Sequence, residues 1–213
     1  MLKTNKKKMT ISSLVILLPM IAGLILWDKL PQQMAIHWDL NGQPNNWGGK
    51  PLVVLFIPLF LLALHWICIF VTSADPKNKG QTKKITGLIF WIFPLLSLFV
   101  GASLYTAALG IDMSMTKWAL LFIGLLFIVM GNYMPKTKQN HTIGIRIKWT
   151  LENEANWNRT HRFAGKVWVI GGLLLLACAF LPSGPILYLP LILLILLVAL
   201  PILYSYQHRS INA

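Results

Sequence analysis

The sequence predicts an all-α integral membrane protein with six transmembrane helices. Of its 213 residues, 56% are hydrophobic and only 12% are charged, whereas soluble domains carry about 25% charged residues. Six apolar runs come close to the roughly 20 residues that cross a bilayer at 1.5 Å per residue. They cover residues 10–27, 52–72, 85–109, 118–134, 167–181 and 186–206. Because these runs use most of the chain, no separate soluble domain is expected.

The order of the runs predicts two units. The first is an N-terminal two-span unit over residues 1–72 with an outer loop at 28–51, and the second is a four-span unit over 73–213 with a cytoplasmic loop at 135–166. The first run follows a basic head, but no small-x-small cleavage site precedes WDKLP, so it is expected to be an uncleaved signal anchor. The fifth run is short, so its helix must either include residues 164–166 or cross the membrane with little tilt.

The basic residues predict the orientation. Sixteen of the nineteen Lys and Arg residues lie before the first run, between the second and third, between the fourth and fifth, or after the sixth. Only Lys29, Lys50 and Lys117 lie in the other loops. Because basic residues accumulate on the cytoplasmic side, both termini are predicted to be cytoplasmic. Topology and anionic lipid then account for the pI near 10, and no direct nucleic-acid binding is expected.

Polar side chains are scarce inside the predicted spans. His65 is the only candidate proton carrier, and a neutral imidazole bonded to a backbone carbonyl of a neighbouring helix is the favoured interpretation, since no carboxylate lies in any span. Asn132, near the inner end of the fourth span, is expected to join helices. Cys68 and Cys178 both fall in spans, where apolar packing is more common than a disulfide.

The outer loop LPQQMAIHWDLNGQPNNWGGKP predicts a short β-hairpin. Met34, Ile36, Trp38 and Leu40 alternate with Ala35, His37 and Asp39, the period-2 pattern of a half-buried strand. Asn41-Gly42 follows, a strong hairpin-turn signal. Two interpretations of the polar face stay open: a solvated or hydrogen-bonded surface, and a surface that meets an external ligand. The ligand-facing residues would be His37, Trp38, Asp39, Gly42 and Trp47. Zinc needs three or four ligands, so no metal site is expected.

The inner loop predicts a helix that begins near Leu151 and runs into the fifth span. Thr150 is the expected N-cap, with Glu152 and Glu154 in the first turn, where the helix dipole favours acids. One helical face would carry Thr150, Glu154, Trp157, His161, Ala164 and Trp168, and another Arg159, Arg162 and Lys166. An amphipathic helix lying in the lipid headgroups accounts for the cations and tryptophans. A contact between Glu154 and His161, which would favour a charged imidazole, is the competing hypothesis.

The segment GNYMPKTKQNHTIGIRIKWTLENEANWNRTHRFAGKVWVIGG resembles the signature segment of the SdpI family of bacterial membrane proteins. The matching positions are Gly131-Asn132-Tyr133, Pro135, Asn140, Gly144-Ile145-Arg146, Trp149-Thr150-Leu151, Trp157, Thr160-His161-Arg162 and Gly165-Lys166. Ile147-Lys148 departs from the Thr-Pro pair that family members commonly carry, which affects the start of the helix. The outer loop resembles the small domain usually found at the start of the same proteins, so the resemblance covers nearly the whole chain.

The resemblance implies an immunity and signalling protein of the bacterial cytoplasmic membrane. The founding member protects a spore-forming bacterium from its own secreted killing peptide and captures a small cytosolic DNA-binding repressor at the membrane. The expected partners are therefore a secreted peptide toxin, a cytosolic repressor and membrane lipids, without a cofactor. The cytoplasmic residues expected to carry the function are Asn132, Pro135, Asn140, Gly144, Arg146, Trp149, Glu152, Glu154, Trp157, His161 and Arg162.

Two other function classes remain open from the residues. A small transporter that exports the peptide would give the same resistance, although the spans contain no acidic residue and no inverted repeat. A membrane-embedded enzyme could use Glu152, Glu154, His141 and His161 for acid-base or metal chemistry. The chain contains no HExxH and no GxSxG motif, so a non-enzymatic binding protein is favoured.

Overall fold

The computed structural model describes residues 5–39, 41–111, 113–181 and 188–209. Within these ranges, six helices are long and apolar enough to cross a membrane, as the sequence predicted. They are α1 (Lys6–Ile25), α2 (Ile57–Ala74, opened by a π-helical turn at Leu52–Phe56), α3 (Lys83–Ala108), α4 (Met115–Tyr133), α6 (Glu154–Cys178) and α7 (Tyr188–Gln207). The predictions made for Lys3, Leu40 and the first two residues of the sixth span concern residues outside the described ranges.

The remaining elements lie in the connections. Strands β1 (Gln33–Trp38) and β2 (Pro44–Gly49) pair antiparallel between α1 and α2, which confirms the predicted hairpin. Short 3-10 helices occupy Trp27–Lys29, Pro76–Gly80 and Met134–Lys136, and the one-turn helix α5 spans Lys148–Glu152.

Helix α6 is longer than the fifth predicted span and begins 13 residues before it, at Glu154. The helix predicted for the inner loop and the fifth span are therefore one continuous element, with no proline between Glu154 and Cys178 to break it. The predicted N-cap, Thr150, is wrong. Asn153 caps the helix instead, because its side-chain oxygen accepts a hydrogen bond from the Asn156 amide at 2.9 Å.

The chain forms two compact units, one of Met1–Ser73 with Thr86–Thr116 and one of Ala74–Ile85 with Lys117–Ala213. Helix α3 therefore packs with the first two spans, which differs from the predicted division at residue 72. Two side chains of α3 explain the grouping, because Ser97 and Tyr105 each donate a hydrogen bond to a backbone carbonyl of α1, those of Ile16 and Pro19, both at 2.8 Å. Buried donors in an apolar interior need such acceptors.

His65 lies in the first unit, fully buried on α2. Its Nε2 is 2.8 Å from the Ser12 hydroxyl of α1, and the rings of Phe90 and Phe93 meet it edge-on. The expected backbone carbonyl is therefore replaced by a hydroxyl group. Ser12 itself lies 3.0 Å from the carbonyl of Met9, so the imidazole belongs to a short polar chain inside the helix packing.

In the second unit, α4 and α6 approach each other at two glycine pairs. A Cβ on Gly131 would lie 2.9 Å from the Gly165 carbonyl, and a Cβ on Gly165 would lie 2.8 Å from that of Gly131. One heptad away, Gly124 and Gly172 are related in the same way, at 2.8 and 2.6 Å. Small residues allow membrane helices to approach backbone to backbone. These contacts hold the middle and the second half of α6 against α4, just after the turns that carry Trp157 and His161.

Candidate functional site

The hairpin uses much of its own polar chemistry to fold. Gly42 has a φ of +78°, and the Asp39 carboxylate accepts hydrogen bonds from the amides of Asn41 at 2.9 Å and Gln43 at 2.8 Å. Trp38 is half-buried and packs against a core cluster that includes Leu30 and Met34. Asp39, Gly42 and Trp38 therefore shape the hairpin.

The other two residues expected to face a ligand are exposed. Trp47 has 53% of its surface accessible, and His37 donates from Nδ1 to the side-chain oxygen of Asn45 at 2.6 Å. Across the strands, Ala35 pairs with Trp47 and His37 with Asn46, with irregular register between them. The accessible part of the predicted ligand-facing surface is therefore the His37–Trp47 side of the hairpin.

The inner site centres on two stacked rings, Trp157 and His161, on the first two turns of α6. Both are buried, with 0% and 1% of their surface accessible, and their ring centroids are 4.0 Å apart. The indole N–H donates to the Thr137 carbonyl at 2.8 Å. The preceding segment, residues 137–153, folds against this pair of rings. We name that segment the motif loop.

The imidazole of His161 is neutral in this arrangement. Its Nε2 accepts a hydrogen bond from the Ile145 amide at 3.1 Å, so the ring proton must lie on Nδ1, which donates to the Trp157 carbonyl at 2.9 Å. Both ring nitrogens are thus used inside the site. The hypothesised Glu154–His161 contact is wrong, because Glu154 is exposed at the start of α6 and the imidazole is turned inward.

Gly144 lets the motif loop pass over these rings. Its φ is +109°, a conformation that residues with a side chain rarely adopt. A Cβ at this position would collide with Nε2 of His161 and lie 3.2 Å from two ring carbons of Trp157. Backbone conformation and packing both require glycine here.

Two buried polar side chains fold the loop on either side of Gly144. Asn140 has no accessible surface; its oxygen accepts from the amides of Thr142 at 2.8 Å and Ile143 at 2.6 Å, and its nitrogen donates to two carbonyls. Thr150 Oγ1 accepts from the Ile147 amide at 3.0 Å and lies 2.8 Å from the Ile145 carbonyl. Side-chain bonds of this kind replace a regular ladder in a segment without strands.

Sequence reasoning did not identify the α2–α3 connection (residues 75–82) as part of the site. Asp75, which is 8% exposed, accepts a hydrogen bond from the His141 amide of the motif loop at 2.8 Å. Asn78 donates to the Thr142 hydroxyl at 2.6 Å, and Gln81 exchanges two hydrogen bonds with the Lys138 backbone at 2.7 and 3.1 Å. Two signals in the sequence could have pointed to this connection. The Asp75-Pro76 pair favours a turn, and Asp75 is the only acid near lysines 77, 79, 83 and 84.

A second polar cluster that the sequence did not reveal joins α6 to α7. Asn156, Thr160 and Ser205 are all buried. The Asn156 side chain donates to the Ser205 carbonyl at 2.9 Å, while its oxygen accepts from the hydroxyls of Ser205 at 2.7 Å and Thr160 at 3.1 Å. Every polar atom of this amide is thereby satisfied away from water, which fixes the rotation of α6 about its axis.

The remaining predicted residues lie on the outside of the site. Those classed as exposed are Asn132, Pro135, Arg146, Glu152, Glu154 and Arg162. Arg146 donates to the His141 carbonyl at 2.7 Å, and the half-buried Trp149 meets Tyr206 of α7 edge-on at 5.4 Å. Asn132, expected to join helices, thus presents its side chain outward.

The predicted division of α6 into faces therefore has to be corrected. Trp157, His161 and Ala164 form the inner face, which the motif loop and neighbouring helices cover, so they cannot be the contact surface for another protein. The accessible charged groups of α6 are Glu154 at its start and the cations Arg159, Arg162 and Lys166. The rings are buried because the motif loop passes over them at Gly144 and Ile145, which helical spacing alone does not reveal. Among the described residues, no group of three or more His, Cys, Asp or Glu could hold a metal ion.

Comparisons with known proteins match the two halves of the chain. The model of the SdpI/YfhL protein family matches residues 136–205, which hold the motif loop, α5, α6 and most of α7. A domain of unknown function (DUF1648) matches residues 14–62, which hold much of α1, the hairpin and the start of α2. No solved structure matches the chain at a significant level.

One curated relative extends the match to nearly the full length. The immunity protein SdpI of Bacillus subtilis (strain 168) is 29% identical over 203 residues, covering 95% of this chain and 96% of the relative. The aligned length includes the hairpin, the six spans and the motif loop. The chain is thus similar to the SdpI/YfhL family over the motif loop and the helices that follow it, and to the immunity protein SdpI over nearly its full length.

Proposed function

We propose that this chain is an immunity protein of the bacterial cytoplasmic membrane that protects its cell from a secreted antimicrobial peptide. The full-length similarity to the immunity protein SdpI carries this proposal. Six helices long and apolar enough to cross a membrane support the proposal, because a membrane-active peptide works at the membrane. The exposed His37–Trp47 side of the hairpin offers an aromatic ring and hydrogen-bonding groups to such a peptide. Binding, rather than catalysis, is the activity proposed.

The motif loop would supply a second activity, the retention of a cytosolic DNA-binding repressor. Since Trp157 and His161 are covered, the contact surface proposed for the repressor consists of exposed groups around them: Arg146, Glu152, Glu154 and Arg162. These residues combine both signs of charge around a folded loop, which suits recognition by charge complementarity. The buried rings would hold the loop in shape.

Peptide challenge of a sensitive strain tests the immunity proposal. Expression of the chain should raise survival in the presence of the purified peptide to which the Bacillus subtilis relative gives immunity. Trp157→Ala should abolish protection, because loss of a buried tryptophan costs about 3–5 kcal/mol and unfolds the site. Arg159→Ala, an exposed neighbour on α6, is the matched control, and immunoblots of membranes report abundance. Unchanged survival with abundant wild-type protein would refute immunity to that peptide.

Labelled peptide distinguishes binding from export. A protein that sequesters the peptide should retain label at the membrane of protected cells, and the amount should rise with expression. An exporter would lower the total cell-associated label in an energy-dependent manner. Protection accompanied by energy-dependent loss of label would replace the binding proposal with a transporter.

A further inference from the structure

The motif loop is held by a segment that neither family match includes. The matches cover residues 14–62 and 136–205, whereas the α2–α3 connection lies between them in the sequence. This connection packs in the second unit, yet the chain reaches it from α2 and leaves it into α3, which both lie largely in the first unit. It is therefore the point at which the helices of one unit are covalently continuous with a segment bound to the motif loop.

The hydrogen bonds between the two segments are short and specific. The Asp75 carboxylate accepts from the His141 amide, Asn78 donates to Thr142, and Gln81 pairs with the Lys138 backbone through both its donor and its acceptor. A second oxygen of Asp75 accepts from the Lys77 amide at 3.0 Å and caps the 3-10 helix Pro76–Gly80. One carboxylate thus shapes the connection and binds the loop.

Repulsion between cations opposes the contact between the α2–α3 connection and the motif loop. The segment 75–84 carries lysines at positions 77, 79, 83 and 84, and the segment 136–148 carries Lys136, Lys138, Arg146 and Lys148. Asp75 is the only acid in either segment. Two cationic segments repel each other, so the bonded arrangement depends on the polar contacts and on the single buried carboxylate. Few interactions therefore hold the two segments together, and a contact of this kind can open locally at a small cost in free energy.

We propose that Asp75 fastens the α2–α3 connection to the motif loop, and that peptide bound by the first unit opens or closes this contact through α2 and α3. The inference rests on the proposed function, since it supplies the regulation of that site. Peptide that prefers one arrangement of α2 and α3 would shift the balance between closed and open loop by its difference in affinity. Asp75 acts as a positioning residue, because it touches the loop and not the peptide.

Amide hydrogen exchange of residues 137–147 in nanodisc-embedded protein tests the fastening without any ligand. Asp75→Ala should raise exchange at His141 and its neighbours about tenfold, because a charge-assisted hydrogen bond is lost. Asp75→Asn keeps one acceptor oxygen, so its exchange rate should lie between those of the wild type and Asp75→Ala. The control Lys79→Ala removes a cation from an exposed side chain of the same connection, which lessens the repulsion between the segments, so it should not raise exchange. Equal exchange in wild type and Asp75→Ala would overturn the fastening.

The same measurement with the purified peptide tests the transmission. Exchange in the wild-type loop should change when peptide is added, whereas exchange in the Asp75→Ala loop, measured at equal abundance, should not respond to peptide. A merely structural Asp75 would instead lower abundance and protection together, and that outcome overturns the inference. Wild-type protein that protects cells while its loop ignores the peptide also overturns it. Wild-type protein that fails to protect refutes the proposed function, and the ligand-free exchange still decides the fastening.

Discussion

At the scale of single residues, Gly144 shows how a family motif can be fixed by packing. Its backbone conformation is one that favours glycine, and the space where a side chain would stand is filled by His161 and Trp157. The motif position is therefore explained by the fold of the loop and needs no contact with a partner. The same holds for Asn140 and Thr150, whose polar atoms are used within the loop.

Gly144→Ala is expected to destabilise the motif loop by more than backbone strain alone. A left-handed non-glycine residue costs about 1–3 kcal/mol, and the added methyl would also displace the imidazole. Gly110 provides a matched control, since its φ is +71° but no atom lies within 4 Å of its Cβ position. Thermal unfolding in detergent should therefore show a larger loss for Gly144→Ala than for Gly110→Ala. Equal losses would mean that packing on His161 contributes nothing.

At the scale of elements, prolines and polar side chains act together in the spans. Pro201 has no N–H, so the carbonyl of Leu197, four residues earlier in α7, lacks its helical donor. Trp168 of α6 supplies the missing hydrogen bond, from its indole N–H at 2.8 Å. The ring is also held edge-on against Phe127 of α4. A tryptophan that looked like a headgroup anchor in the sequence thus joins three helices.

This pairing predicts a coupling between two substitutions. Trp168→Phe should cost about 1 kcal/mol, within the range measured for hydrogen bonds between membrane helices, because the Leu197 carbonyl is left without a donor. In a Pro201→Ala background, residue 201 can donate to that carbonyl, so the same substitution should cost less. The free energy of unfolding in mixed micelles should be measured for the wild type, both single variants and the double variant. Trp91→Phe, at an exposed tryptophan, is the control for ring size. Additive effects would show that Trp168 and Pro201 are independent.

At the scale of the whole molecule, the orientation in the membrane remains a prediction from charge. The cationic residues near the motif loop and the α2–α3 connection are predicted to face the cytoplasm, and the hairpin to face the outside. This assignment decides which surface meets a secreted peptide. It therefore underlies both proposed activities.

Single cysteines test this orientation. In a Cys68→Ala, Cys178→Ala background, a membrane-impermeant maleimide should modify Gln43→Cys in intact cells. It should modify Lys79→Cys and Arg159→Cys only in inverted vesicles. All three positions are exposed, so side of the membrane, rather than burial, sets the labelling. The reverse pattern would contradict the predicted topology and move the peptide-binding proposal to the other face.

The sequence by itself determined the membrane class, the six spans and the hairpin. Each depends on local information: an apolar run of sufficient length, alternation with a period of two, and Asn-Gly at a turn. The site residues Asn140, Gly144, Trp157 and His161 could be identified from the sequence only through the family resemblance. Spacing on a helix could not tell which face of α6 the motif loop would cover.

Only the tertiary structure decided what those residues do. Trp157 and His161 are buried because the motif loop folds back over them, and Asp75 joins the site from a segment about 60 residues away in the chain. The grouping of α3 with α1 and the glycine pairs between α4 and α6 have the same origin. A hydrogen bond or close contact between distant segments leaves no periodic pattern in either one, because it depends on how the helices are brought together rather than on the order of residues within them.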